Sequence, residues 1–91
     1  MADQWRVIYS GRVQGVGFRA RSERIASSHQ VAGTVRNCDD GTVELVVQGE
    51  ESAVSGFLEA VSLELGRYIR GATTLREQAG SPPLIGFTII R

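Results

Sequence analysis

Apolar and polar residues alternate from Trp5 to Ser10, with Trp5, Val7 and Tyr9 on one side and Arg6, Ile8 and Ser10 on the other, which predicts a strand. At Phe18 the period changes. Phe18, Ser22, Ile25, Ala26 and His29 recur at helical spacing, with Arg19, Arg21, Glu23 and Arg24 mostly between them, so a helix is expected to start near Phe18. Alternation returns at Val31, Gly33 and Val35. Asp40-Gly41 is a hairpin signal, and Thr42 to Gln48 follows as a third strand. Glu50, Glu51 and Ser52 open a second helix whose apolar stripe is Val54, Phe57, Leu58, Val61 and Leu65, with Gly66 as its expected end. A weaker strand is read over 68–77, a turn-rich connector over 78–83 and a last short strand over 84–91.

The order β-α-β-β-α-β plus a terminal strand predicts an α+β, ferredoxin-like sandwich: an antiparallel sheet, two helices on one face and a short extra C-terminal strand, in a single domain over residues 1–91. A strand, a returning helix and a second strand leave the first and second strands pointing the same way. The loops that leave them, Gly11 to Phe18 and Asn37 to Asp40, are therefore expected at one edge of the sheet. That edge is the candidate site.

Composition narrows the chemistry. All ten basic residues are arginine, balanced by ten acidic residues, so no bulk attraction to nucleic acid or a membrane is implied, and Schiff-base or Walker-type lysine chemistry is excluded. With one cysteine there is no internal disulfide, and with one histidine a structural zinc site is close to excluded. No signal-peptide core or membrane-length apolar run is present, so a cytoplasmic location is expected.

The loop GRVQGVGFR, Gly11 to Arg19, holds three glycines, two arginines and no acid. Glycines allow positive φ angles that turn successive N–H groups toward one point. A helix starting at Phe18 presents unpaired N–H groups and the positive end of its dipole. Arg19 in its first turn opposes that dipole unless an anion lies between them, and a guanidinium fork meets a phosphoryl group with two parallel hydrogen bonds. On loop composition alone, an oxyanion cradle and a plain strand-to-helix turn with a solvated arginine stand about even. The stretch also fits a loose dinucleotide pattern, with Asp39 and Asp40 at a suitable distance. But Asp40-Gly41 folds the second strand into an antiparallel partner, and the chain is too short for a doubly wound sheet.

Together with VAGTVRNCDDGTVELVVQG from Val31 to Gly49, this loop resembles the acylphosphatase family, and the resemblance extends over essentially the whole chain. It implies a ferredoxin-like fold and hydrolysis of small acyl phosphates to a carboxylate and inorganic phosphate, with no metal or other cofactor. By the same resemblance Arg19 and Asn37 are the catalytic residues, and Gln14, Gly15, Val16, Gly17 and Phe18, with Arg19, form the phosphate-binding loop. Thr34 stands where many members carry an aromatic residue. Acyl phosphate and inorganic phosphate are the expected partners, with no nucleic acid and no membrane, and the chain is expected to be a monomer.

Other reactive residues have plainer readings. His29 is expected to cap helix carbonyls at the far end of the sheet from Arg19. Cys38 has no base nearby in sequence and opposite strand phase to Asn37. Turn formation accounts for Asp40. Arg12, Arg21 and Arg24 are expected in solvent, with ligand contact left open for Arg12, and Trp5, Tyr9, Phe57 and Phe87 in the core or on a sheet face. An RNA-recognition domain shares this element order, but its third strand carries aromatics and TVELVVQ has none. A binding-only domain with the same cradle remains the alternative to an enzyme.

Overall fold

In the computed structural model, which describes residues 3–91, the alternating runs become strands and the 3.6-residue runs become helices. The order is β1 (Asp3–Gly11), α1 (Phe18–Ala26), β2 (Ala32–Asn37), β3 (Val43–Gln48), α2 (Glu51–Leu65), a 3-10 turn (Gly66–Tyr68), β4 (Ile69–Gln78) and β5 (Phe87–Ile89). Met1 and Ala2, the first two positions of the expected domain, lie outside the described residues.

The five strands form one sheet in the order β4-β1-β3-β2-β5. The pairs β1–β3, β1–β4 and β2–β3 are antiparallel as expected, but β5 runs parallel to β2, so the sheet is mixed. The chain reaches β5 from β4 on the opposite edge, and that crossing fixes the direction in which β5 arrives. Gly33 makes the docking close. Its N–H donates to the Gly86 carbonyl at 2.9 Å, and the Phe87 ring lies where a Cβ on Gly33 would need room, at 3.0 Å.

Both helices pack on one face of the sheet. Val7, Tyr9, Val35, Val43, Leu45 and Val47 meet Phe18 and Ala26 of α1 and Val54, Phe57, Val61 and Leu65 of α2, all buried. Phe57 is fully enclosed, with the His29 and Phe87 rings edge-on at centroid distances of 6.0 and 5.5 Å. Burial of such a side chain contributes about 2–3 kcal/mol.

The opposite face carries an ion-pair lattice centred on Glu44. Its carboxylate accepts from Arg6 Nη1 and from Arg36 Nε, each at 2.8 Å, and Arg6 Nε also donates to Glu77 at 3.0 Å. The Arg36 hydrogen bond, followed by that of Arg6, holds the Glu44 carboxyl below the ordinary glutamate range against the opposing effect of burial. A depressed folded-state pKa gives stability that is fully present above the unfolded value, about 4.3. That stability is lost as pH falls through the lower folded value. Glu44→Gln is therefore expected to cost about 1–2 kcal/mol at pH 7 and to shrink the loss of stability on acidification below about pH 4.5. Urea denaturation at pH 7 and in the acid range checks both, and equal acid sensitivity in the two proteins would remove the lattice from the explanation.

Candidate active site

β1 and β2 both run antiparallel to β3, so they run parallel to each other, and their C-terminal ends share one row. Tyr9 on β1 and Asn37 on β2 both pair with Val43. The glycine loop leaves β1 just past that row, after a bulge between Ser10 and Gly11. The topology thus brings residues 14–19 and Asn37 to one sheet edge, as the sequence implies.

Within the loop, Gly15 has φ 80° and Gly17 φ 78°, a region that side chains with a Cβ seldom adopt. At Gly15 a Cβ would meet nothing within 4 Å, so conformation rather than space selects glycine there. Gly17 stands at the N-cap of α1 with no side-chain cap on the helix. The Arg12 N–H goes to the Tyr68 carbonyl at 2.8 Å and the Arg21 N–H to the Gly17 carbonyl at 2.9 Å. Between them the loop N–H groups have no acceptor among the described residues. Those N–H groups and the positive end of α1 make an anion-attracting concavity.

A cleft of about 240 Å³ opens there, lined by Val13, Gly15, Gly17, Phe18, Arg19, Ala20, Asn37 and Ile89. Arg19 and Asn37 are half-buried in its wall. Arg6, Arg24, Arg36 and Arg76 form ion pairs with carboxylates; Arg19 has none among the described residues. The Asn37 carboxamide likewise has no protein hydrogen-bond partner there. A guanidinium, a carboxamide and a set of N–H groups, all uncommitted, thus face one cleft.

Gln14 plays a part its motif position does not disclose. Its side-chain amide donates to the carbonyls of Cys38 and Thr42, each at 2.9 Å, and so ties the glycine loop to the β2–β3 turn. That brace sets the loop of Arg19 against the strand end of Asn37. Beneath the loop, Val13 and Phe18 are buried, and Phe18 packs on Tyr9 with a centroid distance of 5.0 Å. Burial pushes the Tyr9 phenol up to about 12, so it keeps its proton at neutral pH and cannot act as a base. Val16 is partly buried against the core, and no described contact relates Thr34 to the cleft.

The remaining candidates fall elsewhere. His29 Nδ1 lies 3.0 Å from the Ile25 carbonyl, in the turn that ends α1, as a donated cap. Asp40 accepts from the Thr42 hydroxyl at 2.6 Å and from its N–H at 3.1 Å, and these bonds, the hydroxyl first, hold its carboxyl below the ordinary range. Cys38 is a free, half-exposed thiol outside the cleft lining. Arg24 pairs with Glu64, and Arg21 is half-buried beside Gly17 rather than free in solvent. Among the described residues no group of three His, Cys, Asp or Glu could hold a metal ion, and no helix is long and apolar enough to cross a membrane.

Sequence reasoning did not find Val13, Ala20 or Ile89. Val13, an apolar residue inside a polar loop, was a readable signal. Ile89 was not, because its place depends on β5 pairing beside β2.

Comparison with known proteins agrees with this architecture over nearly all of its length. The chain superimposes on the crystal structure of an acylphosphatase from Bacillus subtilis with a TM-score of 0.85 and 33% identity, covering 98% of this chain and 99% of that one. In sequence it is 50% identical over 58 residues to an acylphosphatase of Bacillus subtilis (strain 168), a stretch that spans 64% of each chain. It is 54% identical over 55 residues to one from Geobacillus kaustophilus, spanning 60% of this chain and 58% of that relative. The acylphosphatase family model matches residues 5–82, a span that contains the glycine loop, the helix carrying Arg19 and the strand ending in Asn37. Loop, cleft and topology thus come together in one assignment: the chain belongs to the acylphosphatase family.

Proposed function

We propose that the chain is a hydrolase acting on the carboxyl-phosphate bond of small acyl phosphates, releasing a carboxylate and inorganic phosphate without a metal. The observation that carries this reading is the meeting in one cleft of Arg19, Asn37 and a left-handed glycine loop, with the two side chains and the loop's N–H groups free of protein partners among the described residues.

The N–H groups of residues 14–18 and the Arg19 guanidinium hold the phosphoryl oxygens, and Asn37 orients a water through its carboxamide. The water oxygen forms a bond to phosphorus as the bond from phosphorus to the acyl oxygen breaks, its electron pair leaving with the carboxylate. A carboxylate whose conjugate acid has a pKa of about 4 needs no general acid. A phosphoryl oxygen accepts the water's proton, so no side-chain base is required. The protein's share is position and preorganised positive potential.

The same cleft argues for a small-molecule partner over RNA, since the sheet face opposite the helices carries the Arg6, Glu44 and Arg36 ion pairs rather than an aromatic platform. The chain is read as a monomer in the cytoplasm, with inorganic phosphate as a competing product.

The purified chain is expected to turn over acetyl phosphate in excess chelator, to be inhibited competitively by inorganic phosphate, and to be slow on alkyl phosphate monoesters, whose alkoxide leaving group needs an acid this cleft lacks. Activity lost to the chelator and restored by a divalent metal would overturn the mechanism. Phosphate binding with no turnover would leave a binding-only domain.

A further inference from the structure

We infer that the cleft has an apolar wall, Ile89 with Ala20, that receives the acyl end of the substrate and favours acyl phosphates with an apolar acyl group. This rests on the hydrolase reading above and concerns the part of the cleft that reading leaves unused.

The polar groups that suit a phosphoryl end and its attacking water, at Gly15, Gly17 and Arg19 for the first and Asn37 for the second, come from the loop, the start of α1 and the end of β2. Val13 and Phe18 are enclosed, at 0% and 2% exposure, and serve as floor. Ala20 and Ile89 are the apolar lining residues still open to solvent. Ile89 closes β5 and pairs with Val35, two residues before Asn37 and on the same side of the sheet. The next N–H, that of Ile90, donates to the Val35 carbonyl at 2.9 Å, so the wall is held in place by backbone bonds.

Ile89 nevertheless remains 36% exposed, apolar surface that an apolar group would remove from water. Arg19 is the lone charged residue in the lining, and phosphate recognition engages it. A charged acyl group would lose water against Ile89 without a partner. An aliphatic or aromatic one loses nothing there.

The test compares kcat/KM for benzoyl phosphate and acetyl phosphate in the full chain and in two variants. Ile89→Ala removes wall surface and is expected to lower the benzoyl-to-acetyl ratio about fivefold. Ala20→Leu extends the same wall from an exposed helix position and is expected to raise the ratio about threefold. The inhibition constant of inorganic phosphate, which has no acyl end, should stay within about twofold in both. A ratio unmoved in both folded variants overturns the inference while leaving the hydrolase reading standing. Failure of the unaltered chain to hydrolyse either compound overturns both, and is seen before any variant is made.

Discussion

Arg19→Ala is expected to lower kcat by about three orders of magnitude and to weaken inhibition by inorganic phosphate at least about tenfold. Both effects follow because the guanidinium is proposed to contact oxygens that are present in substrate, transition state and product alike. Charge on those oxygens redistributes as the bond to the leaving carboxylate lengthens, so the bidentate contact strengthens along the reaction and its loss falls on kcat as well as on binding. Arg19→Lys keeps the charge but not the planar fork, and should recover part of the binding and less of the rate. The fold should survive either change, since Arg19 has no carboxylate partner among the described residues to leave unpaired. Steady-state kinetics with acetyl phosphate and phosphate inhibition, with circular dichroism as the folding control, read all three quantities. Full recovery by lysine, or unchanged phosphate inhibition in the alanine variant, would remove the fork from the mechanism.

Local pattern carried most of the fold because each element here satisfies one period at a time. Val54, Phe57, Val61 and Leu65 face inward as their spacing requires, and Val7 and Tyr9 do so on β1. Legibility failed where burial on one side is weak. β4 is ten residues long, the longest strand, yet most of it is exposed at the sheet edge, so its alternation carries little hydrophobic contrast and it reads as the weakest strand. The direction of β5 was not legible, since three residues cannot say which neighbour they join, and the expected antiparallel sheet became mixed for that reason.

For the site, topology was enough to bring the glycine loop and Asn37 together, because the parallel relation of β1 and β2 follows from their connection. The partners of the Gln14 side chain were not legible, since a glutamine in an anion-binding motif reads equally as ligand and as brace. The structure commits its amide to the Cys38 and Thr42 carbonyls, which leaves its backbone N–H as the group available to an anion. The role of Ile89 needed the same β5 placement that the sequence could not supply.

Asn37→Ala is expected to lower kcat by about two orders of magnitude, the scale of losing one positioned hydrogen-bonding group, while phosphate inhibition stays within about twofold. The difference from Arg19 comes from the proposed partner. Asn37 is proposed to orient the attacking water and not the anion, so its contribution would be made in the chemical step and be absent from the phosphate complex. The side chain is suited to holding a water. It sits at the end of β2, fixed by the pairing of Asn37 with Val43, and its carboxamide is not committed to any neighbour among the described residues. The carboxamide oxygen can accept a hydrogen bond from the water and leave the water's lone pair free for attack, and the group has no proton of its own to lose at neutral pH. Asn37→Asp sharpens the test. A carboxylate can still accept from the water, but it places a negative charge beside the phosphoryl group, so it should lose rate and also weaken phosphate inhibition, unlike alanine. The two variants, measured with acetyl phosphate and titrated with inorganic phosphate, therefore separate orientation of the water from electrostatics at the anion. Near-normal turnover in Asn37→Ala, or a loss of phosphate affinity as large as that of Arg19→Ala, would show that Asn37 does not position the water.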